Sequence, residues 1–164
     1  MTFVMPRHSN STVLDFLAKR GESSAAFFFP FLTSQMTLLD IGCGPGAVTT
    51  ALAGRVKRAI GIDIEPNAIE RAHRCAAESG KTSLDFMTAD MTSLPFGDNE
   101  FDAVFAHGVL YHLDAAILAK TLGEARRVLR PGGVIGIRDS DTGGDILHPE
   151  SKGLLRTLDL WMKW

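Results

Sequence analysis

Four groups of residues in this 164-residue chain have types and spacings that could handle a ligand. The first is Asp40 with the turn Gly42-Cys43-Gly44-Pro45-Gly46, which closes the apolar run Leu38-Leu39-Asp40-Ile41. Alternating glycines suit such a corner, because a Cβ would hold a ligand off the backbone and the turn calls for positive φ. The second is Asp63, which ends Ala59-Ile60-Gly61-Ile62 and lies 21 residues beyond Gly42. An acid at that distance can accept both hydroxyls of a ribose. The third is Asp90-Met91. The fourth is His107, with Tyr111 and His112 close behind it. A histidine of near-neutral pKa can take the proton of a phenol, enol or amine.

These groups fall where an α/β sheet binds ligands. The hydrophobic pattern alternates strand and helix from Thr37 onward. Strands are expected at 38–41, 59–63, 84–88, 101–106 and 134–137. Helices are expected at 46–54, 66–79 and 113–129, with Pro66 in a first turn and Pro131-Gly132-Gly133 ending the third. Strands that alternate with helices imply a parallel, doubly wound sheet with right-handed crossovers. Asp40 with its turn, Asp63, Asp90 and His107 then follow the carboxyl ends of successive strands.

The turn chemistry argues about the ligand. It reads G-x-G-x-G rather than G-x-G-x-x-G, and Pro45 removes one N–H from the place that would bind a pyrophosphate. Asp40 would set a negative charge beside that pyrophosphate. Tyr111 is followed by Ala115 where a Tyr-x-x-x-Lys hydride-transfer pair would need lysine. A cofactor with an adenosine, no phosphate and a cationic amino-acid end fits the three acids better than a dinucleotide.

At this point the chain resembles the class I S-adenosylmethionine-dependent methyltransferases. The likeness is carried by 38–46, Ile60-Gly61-Ile62-Asp63, Asp90-Met91, 101–107 and Val128-Leu129-Arg130-Pro131-Gly132-Gly133, and it spans roughly 37–138. Together with Gly21-Glu22-Ser23-Ser24-Ala25-Ala26-Phe27, the arrangement is most similar to the ubiquinone- and menaquinone-biosynthesis type of small-molecule methyltransferase.

The resemblance implies a Rossmann-like fold, S-adenosylmethionine as cofactor and O- or C-methylation of a small organic acceptor. It implies that the methionine portion lies against the turn of Gly42, Cys43, Gly44 and Gly46, with Asp40 near its ammonium group. Asp63 would hold the ribose hydroxyls, Ile64 would pack on the adenine, and Asp90 with Met91 would meet its amino edge. His107 would stand beside the transferred methyl, with His112 and Tyr111 as further catalytic candidates. His112 is also read as the start of the third helix, where a capping role would be structural. Arg138, Asp139 and Asp141 share the rim, either as substrate contacts or as a solvated loop. Cys43 reads as a small filler of a tight turn rather than a nucleophile.

Composition bounds the rest. A net charge of −2 gives no pull toward nucleic acid or anionic membrane. The longest apolar stretch, 25–32, is broken by Pro30 and is too short to cross a bilayer. Cys43 and Cys75 make no metal-ligand pattern, so no metal is expected, and free thiols point to the cytoplasm. Residues 1–36 are expected to form a helical segment on the substrate side, with Val13, Phe16, Leu17 and Arg20 in one helix and Phe27, Phe28, Phe29 and Phe31 in another. That aromatic group either wedges against the sheet or serves as a lid. Residues 37–164 are expected to form the cofactor domain. It seats an amphipathic helix after Pro149, and the last two strands of the class have no counterpart. The fifth strand would then be an edge that a second copy or a partner chain could complete. A non-catalytic cofactor-binding module, or a truncated enzyme that needs a partner, is the alternative reading.

Overall fold

The computed structural model describes residues 21–139. The helices expected near 12–20 and after Pro149, and Asp141, lie outside the described residues. Five strands form one parallel sheet: β1 (Thr37–Ile41), β2 (Arg58–Asp63), β3 (Leu84–Thr88), β4 (Phe101–His107) and β5 (Leu129–Arg138). Their order is β3-β2-β1-β4-β5. The helices that follow β1 are α1 (Ala47–Ala53), α2 (Pro66–Ser79) and α3 (Ala115–Val128). Before β1, residues 21–25 are helical and Phe29–Phe31 is a 3-10 turn with Pro30 in it, so the expected helix does not carry Phe27, Phe28, Phe29 and Phe31. The doubly wound architecture expected from the alternation is the one observed. The order reverses between β1 and β4, which opens a crevice at the carboxyl ends of those two strands.

Side-chain alternation sorts the core into two layers. Leu39, Ile41, Ile60, Ile62, Val104 and Ala106 face Ala125 and Val128 of α3. On the other face Leu38, Ala59, Ala103 and Phe105 meet Leu52 and Ala53 of α1. Phe28 completes that second layer, its ring 5.4 Å from that of Phe105. Gly136 of β5 makes room, since a Cβ there would stand 2.7 Å from the Phe28 ring. The residues around Phe28 therefore share the core of the sheet. Phe28 is the buried wedge and Phe29 packs beside it; Phe27 and Phe31 are 45% and 57% exposed, with the Phe27 ring 5.9 Å from that of Phe105.

Two expected boundaries move. Leu110–His112 is a separate 3-10 turn, and α3 begins at Ala115 behind Asp114. The Asp114 carboxylate accepts from the N–H groups of Ala116 and Ile117 at 3.0 and 2.9 Å, so the cap is Asp114 and not His112. At the other end, Pro131-Gly132-Gly133 does not separate helix from strand. β5 already starts at Leu129, which pairs with Phe101, and the next pair is Ala103 with Val134. The intervening residues form a bulge, with Gly132 at φ 78°. Asp102 anchors it, pairing with Arg130 while accepting from the Thr37 N–H at 2.5 Å.

Phe86 of β3 fills the space beneath β2 and the glycine turn. A Cβ on Gly61 would stand 2.6 Å from its ring and 2.9 Å from the Cys43 Cβ. Gly61→Ala should therefore destabilise the fold by about 1–3 kcal/mol through overpacking. The loss should shrink in a Phe86→Leu background, as a double-mutant cycle by urea unfolding would read. Equal losses in both backgrounds would mean that Phe86 is not the contact that matters.

Candidate functional site

The turn between β1 and α1 is built by packing at its ends and left open in its middle. Gly42, Gly44 and Gly46 all have positive φ, at 72°, 52° and 82°. A Cβ on Gly42 would collide with the Val109 side chain at 2.7 Å, and one on Gly46 with the Phe86 ring at 2.5 Å. At Gly44 a Cβ would meet nothing within 4 Å. The outer glycines are thus demanded by the protein itself, whereas the Gly44 backbone faces open space.

Asp63, at the end of β2, ties that middle glycine down. Its Oδ2 accepts from the Gly44 N–H at 2.9 Å and its Oδ1 from the Glu65 N–H at 3.0 Å. An ionised carboxylate has about four acceptor positions, so each oxygen keeps capacity for a second donor. The Cys43 N–H donates to the Ile62 carbonyl at 2.9 Å, a further stitch between turn and β2. The Cys43 thiol is buried, and burial with Asp40 and Asp63 nearby pushes it well above the ordinary thiol range. A thiol held neutral is a poor nucleophile.

Asp40 lies behind the turn, 2% exposed, and its Oδ2 accepts from the Thr49 hydroxyl at 2.5 Å. Burial pushes its carboxyl up to about 7; the Thr49 bond opposes the shift and the Asp63 charge adds to it. Ile64 is 59% exposed directly after β2. Met91 packs on the α3-side core. Asp90 is exposed and closes an Asx turn by accepting from the Thr92 N–H at 2.8 Å, which holds its carboxyl below the usual range. The loop that carries Asp90 and Met91 is clamped farther along by Arg127. Its guanidinium donates to the Leu94 and Phe96 carbonyls and pairs with Glu124, whose own carboxyl is drawn down to about 2.

His107 ends β4, half-buried and in register with Arg138. Tyr111 and His112 are exposed on the 3-10 turn, their ring centroids 3.7 Å apart. Arg138 donates to the Ser23 carbonyl at 3.0 Å. Asp139 accepts from the N–H groups of Val109 and Leu110, each at 3.0 Å. Both rim residues hold the protein's own backbone. Thr49, Val109 and the anchoring role of Asp139 went unnoticed in the sequence. Among the described residues, no group of three His, Cys, Asp or Glu is placed to hold a metal ion. None of their helices is long and apolar enough to cross a membrane.

A family profile described as a methyltransferase domain matches residues 39–137, which includes the glycine turn, Asp63, Asp90 and β4. The chain belongs to the methyltransferase domain family. It is 38% identical over 164 residues to a protein named probable methyltransferase ltbC from Aspergillus luteorubrus, covering 94% of this chain and 56% of that protein. Its fold is similar to phosphoethanolamine N-methyltransferase 1 of Haemonchus contortus, solved with phosphoethanolamine and S-adenosylhomocysteine. The TM-score is 0.70 at 25% identity, covering 85% of this chain and 31% of that one. The [4+2]-cyclase SpnF has the same fold, with a TM-score of 0.61 at 31% identity over 80% of this chain and 46% of that one. The chain spans about half the length of the curated relatives it matches.

The Asp40 carboxyl yields a test of this geometry. It titrates at 3.8 when unfolded and at about 7 when folded. Between those values the native state binds the extra proton, so the group's contribution is complete below the lower value and is lost as pH rises through the upper one. The thermal midpoint of the wild type should fall by several degrees more than that of Asp40→Asn across this window. Parallel curves would contradict a carboxyl buried against Thr49.

Proposed function

We propose that this chain binds S-adenosylmethionine across the carboxyl ends of β1, β2 and β4 and transfers its methyl group to a small organic acceptor, at oxygen or carbon. The observation that carries the reading is the open Gly44 backbone held by Asp63, whose oxygens keep acceptor capacity. The methionine portion lies against Gly42, Cys43, Gly44 and Gly46, where no side chain intervenes at Gly44. Asp63 accepts from the ribose hydroxyls with the lone pairs that the Gly44 and Glu65 N–H groups leave. Ile64, unusually exposed for its size, packs on the adenine beside Asp90 and Met91. Asp40 faces the cationic end from behind the turn, and a cation bound there would draw its carboxyl back toward the charged form.

When bound, the cofactor supplies a sulfonium-activated methyl to a nucleophile aligned behind it. The protein's part is alignment and exclusion of water. His107, at the end of β4, stands on the wall of the crevice; His112 and Tyr111 extend that wall and are the groups able to take an acceptor's proton. A net charge of −2 gives no pull toward nucleic acid, and the proposal takes a small-molecule substrate in the cytoplasm. β5 is the outer strand of the described sheet, and a second copy or a partner chain paired along it would cover that edge.

A second reading has one observation in its favour. The similarity to a [4+2]-cyclase means that the fold also serves chemistry other than methyl transfer. Incubation with methyl-labelled cofactor and a panel of phenols, enols and amines separates the two. Label in an acceptor supports the transferase. Cofactor binding with no transfer to any acceptor, even with a longer chain or a partner, supports the second reading. Asp63→Ala should weaken binding of S-adenosylhomocysteine by about 5- to 150-fold. An unchanged dissociation constant would contradict the placement of the ribose.

A further inference from the structure

His107 ends β4, and the connection from there to α3 carries the other two catalytic candidates, Tyr111 and His112, yet has little regular structure of its own. Gly108 turns it through a left-handed conformation at φ 68°, and its N–H donates to the Arg138 carbonyl at 3.0 Å. A Cβ at Gly108 would meet nothing within 4 Å, so the conformation and not the space calls for glycine. The chain then turns its next N–H groups toward one side chain. Asp139, half-buried just after β5, accepts from Val109 with Oδ1 and from Leu110 with Oδ2, both at 3.0 Å. Burial raises the Asp139 carboxyl above its ordinary range, and the backbone N–H groups around it oppose the rise. The Val109 side chain in turn covers the place where a Cβ of Gly42 would lie, at 2.7 Å.

We propose that Asp139 is a positioning residue that seats the 108–112 connection on the cofactor turn. The chain of contact runs from the Asp139 carboxylate to the Val109 and Leu110 amides, then through the Val109 side chain to Gly42. One carboxylate thereby sets both the height of Tyr111 and His112 above the crevice, next to His107 at the end of β4, and the wall that closes the first glycine of the turn. This rests on the functional reading given above, since the turn matters to catalysis only if the cofactor lies there. The charge has no acidic competitor for its donors in the described loop: 107–112 carries two histidines and a tyrosine but no carboxylate.

The test combines Asp139→Ala with Asp139→Asn, which keeps the side chain's size should the alanine variant fail to fold. Amide hydrogen exchange at 108–111 should quicken by roughly tenfold in both variants, with β1, β2 and β4 protected as before. The dissociation constant for S-adenosylhomocysteine, measured by calorimetry, should rise by about 3- to 30-fold. The thermal midpoint should move little, which separates this role from a general loss of stability. Unchanged exchange at 108–111 overturns the proposal. Faster exchange with an unchanged dissociation constant overturns it as well. A wild-type chain that does not bind S-adenosylhomocysteine overturns the functional reading instead, and with it the link from anchor to cofactor.

Discussion

The hydrogen bond from the Gly44 N–H to the Asp63 carboxylate joins the two strand ends on which the crevice depends. A glycine turn with three left-handed residues is entropically expensive to hold, because each glycine gives up more freedom than any other residue. Asp63 holds the centre of that turn from the neighbouring strand, and the Cys43 N–H bond to Ile62 holds its beginning. The same carboxylate caps its own turn through Glu65. A single side chain thus fixes the spacing between the β1 and β2 corners, and it does so with lone pairs to spare for a ligand.

Beneath that bond the site is a packing problem. Phe86 reaches from β3 under Gly61 and Gly46, and Val109 reaches from the β4 connection onto Gly42. Glycine is required at these positions because aromatic and branched side chains already occupy the volume. Asp40 is a carboxyl enclosed in this apolar setting, with Thr49 as its donor. Elements remote in sequence are therefore pressed around the turn, leaving Gly44 as the point where backbone meets open space.

Much of this was legible in the sequence. The central strands read clearly because β1 and β4 are buried on both faces and so carry nearly unbroken apolar runs. The 66–79 helix was legible to its ends, since Pro66 and Gly80 mark both by backbone conformation alone. Local marks misled where a distant contact decides the conformation. Pro131-Gly132-Gly133 has the composition of a helix stop, yet it is a bulge because Asp102, some thirty residues earlier, engages Arg130 beside it. His112 looked like a helix start, but the carboxylate of Asp114 is the better acceptor for the first free N–H groups. Asp139 bonds amides 29 and 30 residues away, a partnership that no local spacing records.

The central claim is that this crevice is shaped for an adenosine cofactor with a cationic amino-acid end and without phosphate. Calorimetric titration of the purified 164-residue chain with S-adenosylhomocysteine, and in parallel with NADH, tests it most directly. Micromolar-range binding of the former and none of the latter is expected. A folded chain that binds NADH, or that binds neither, would contradict it.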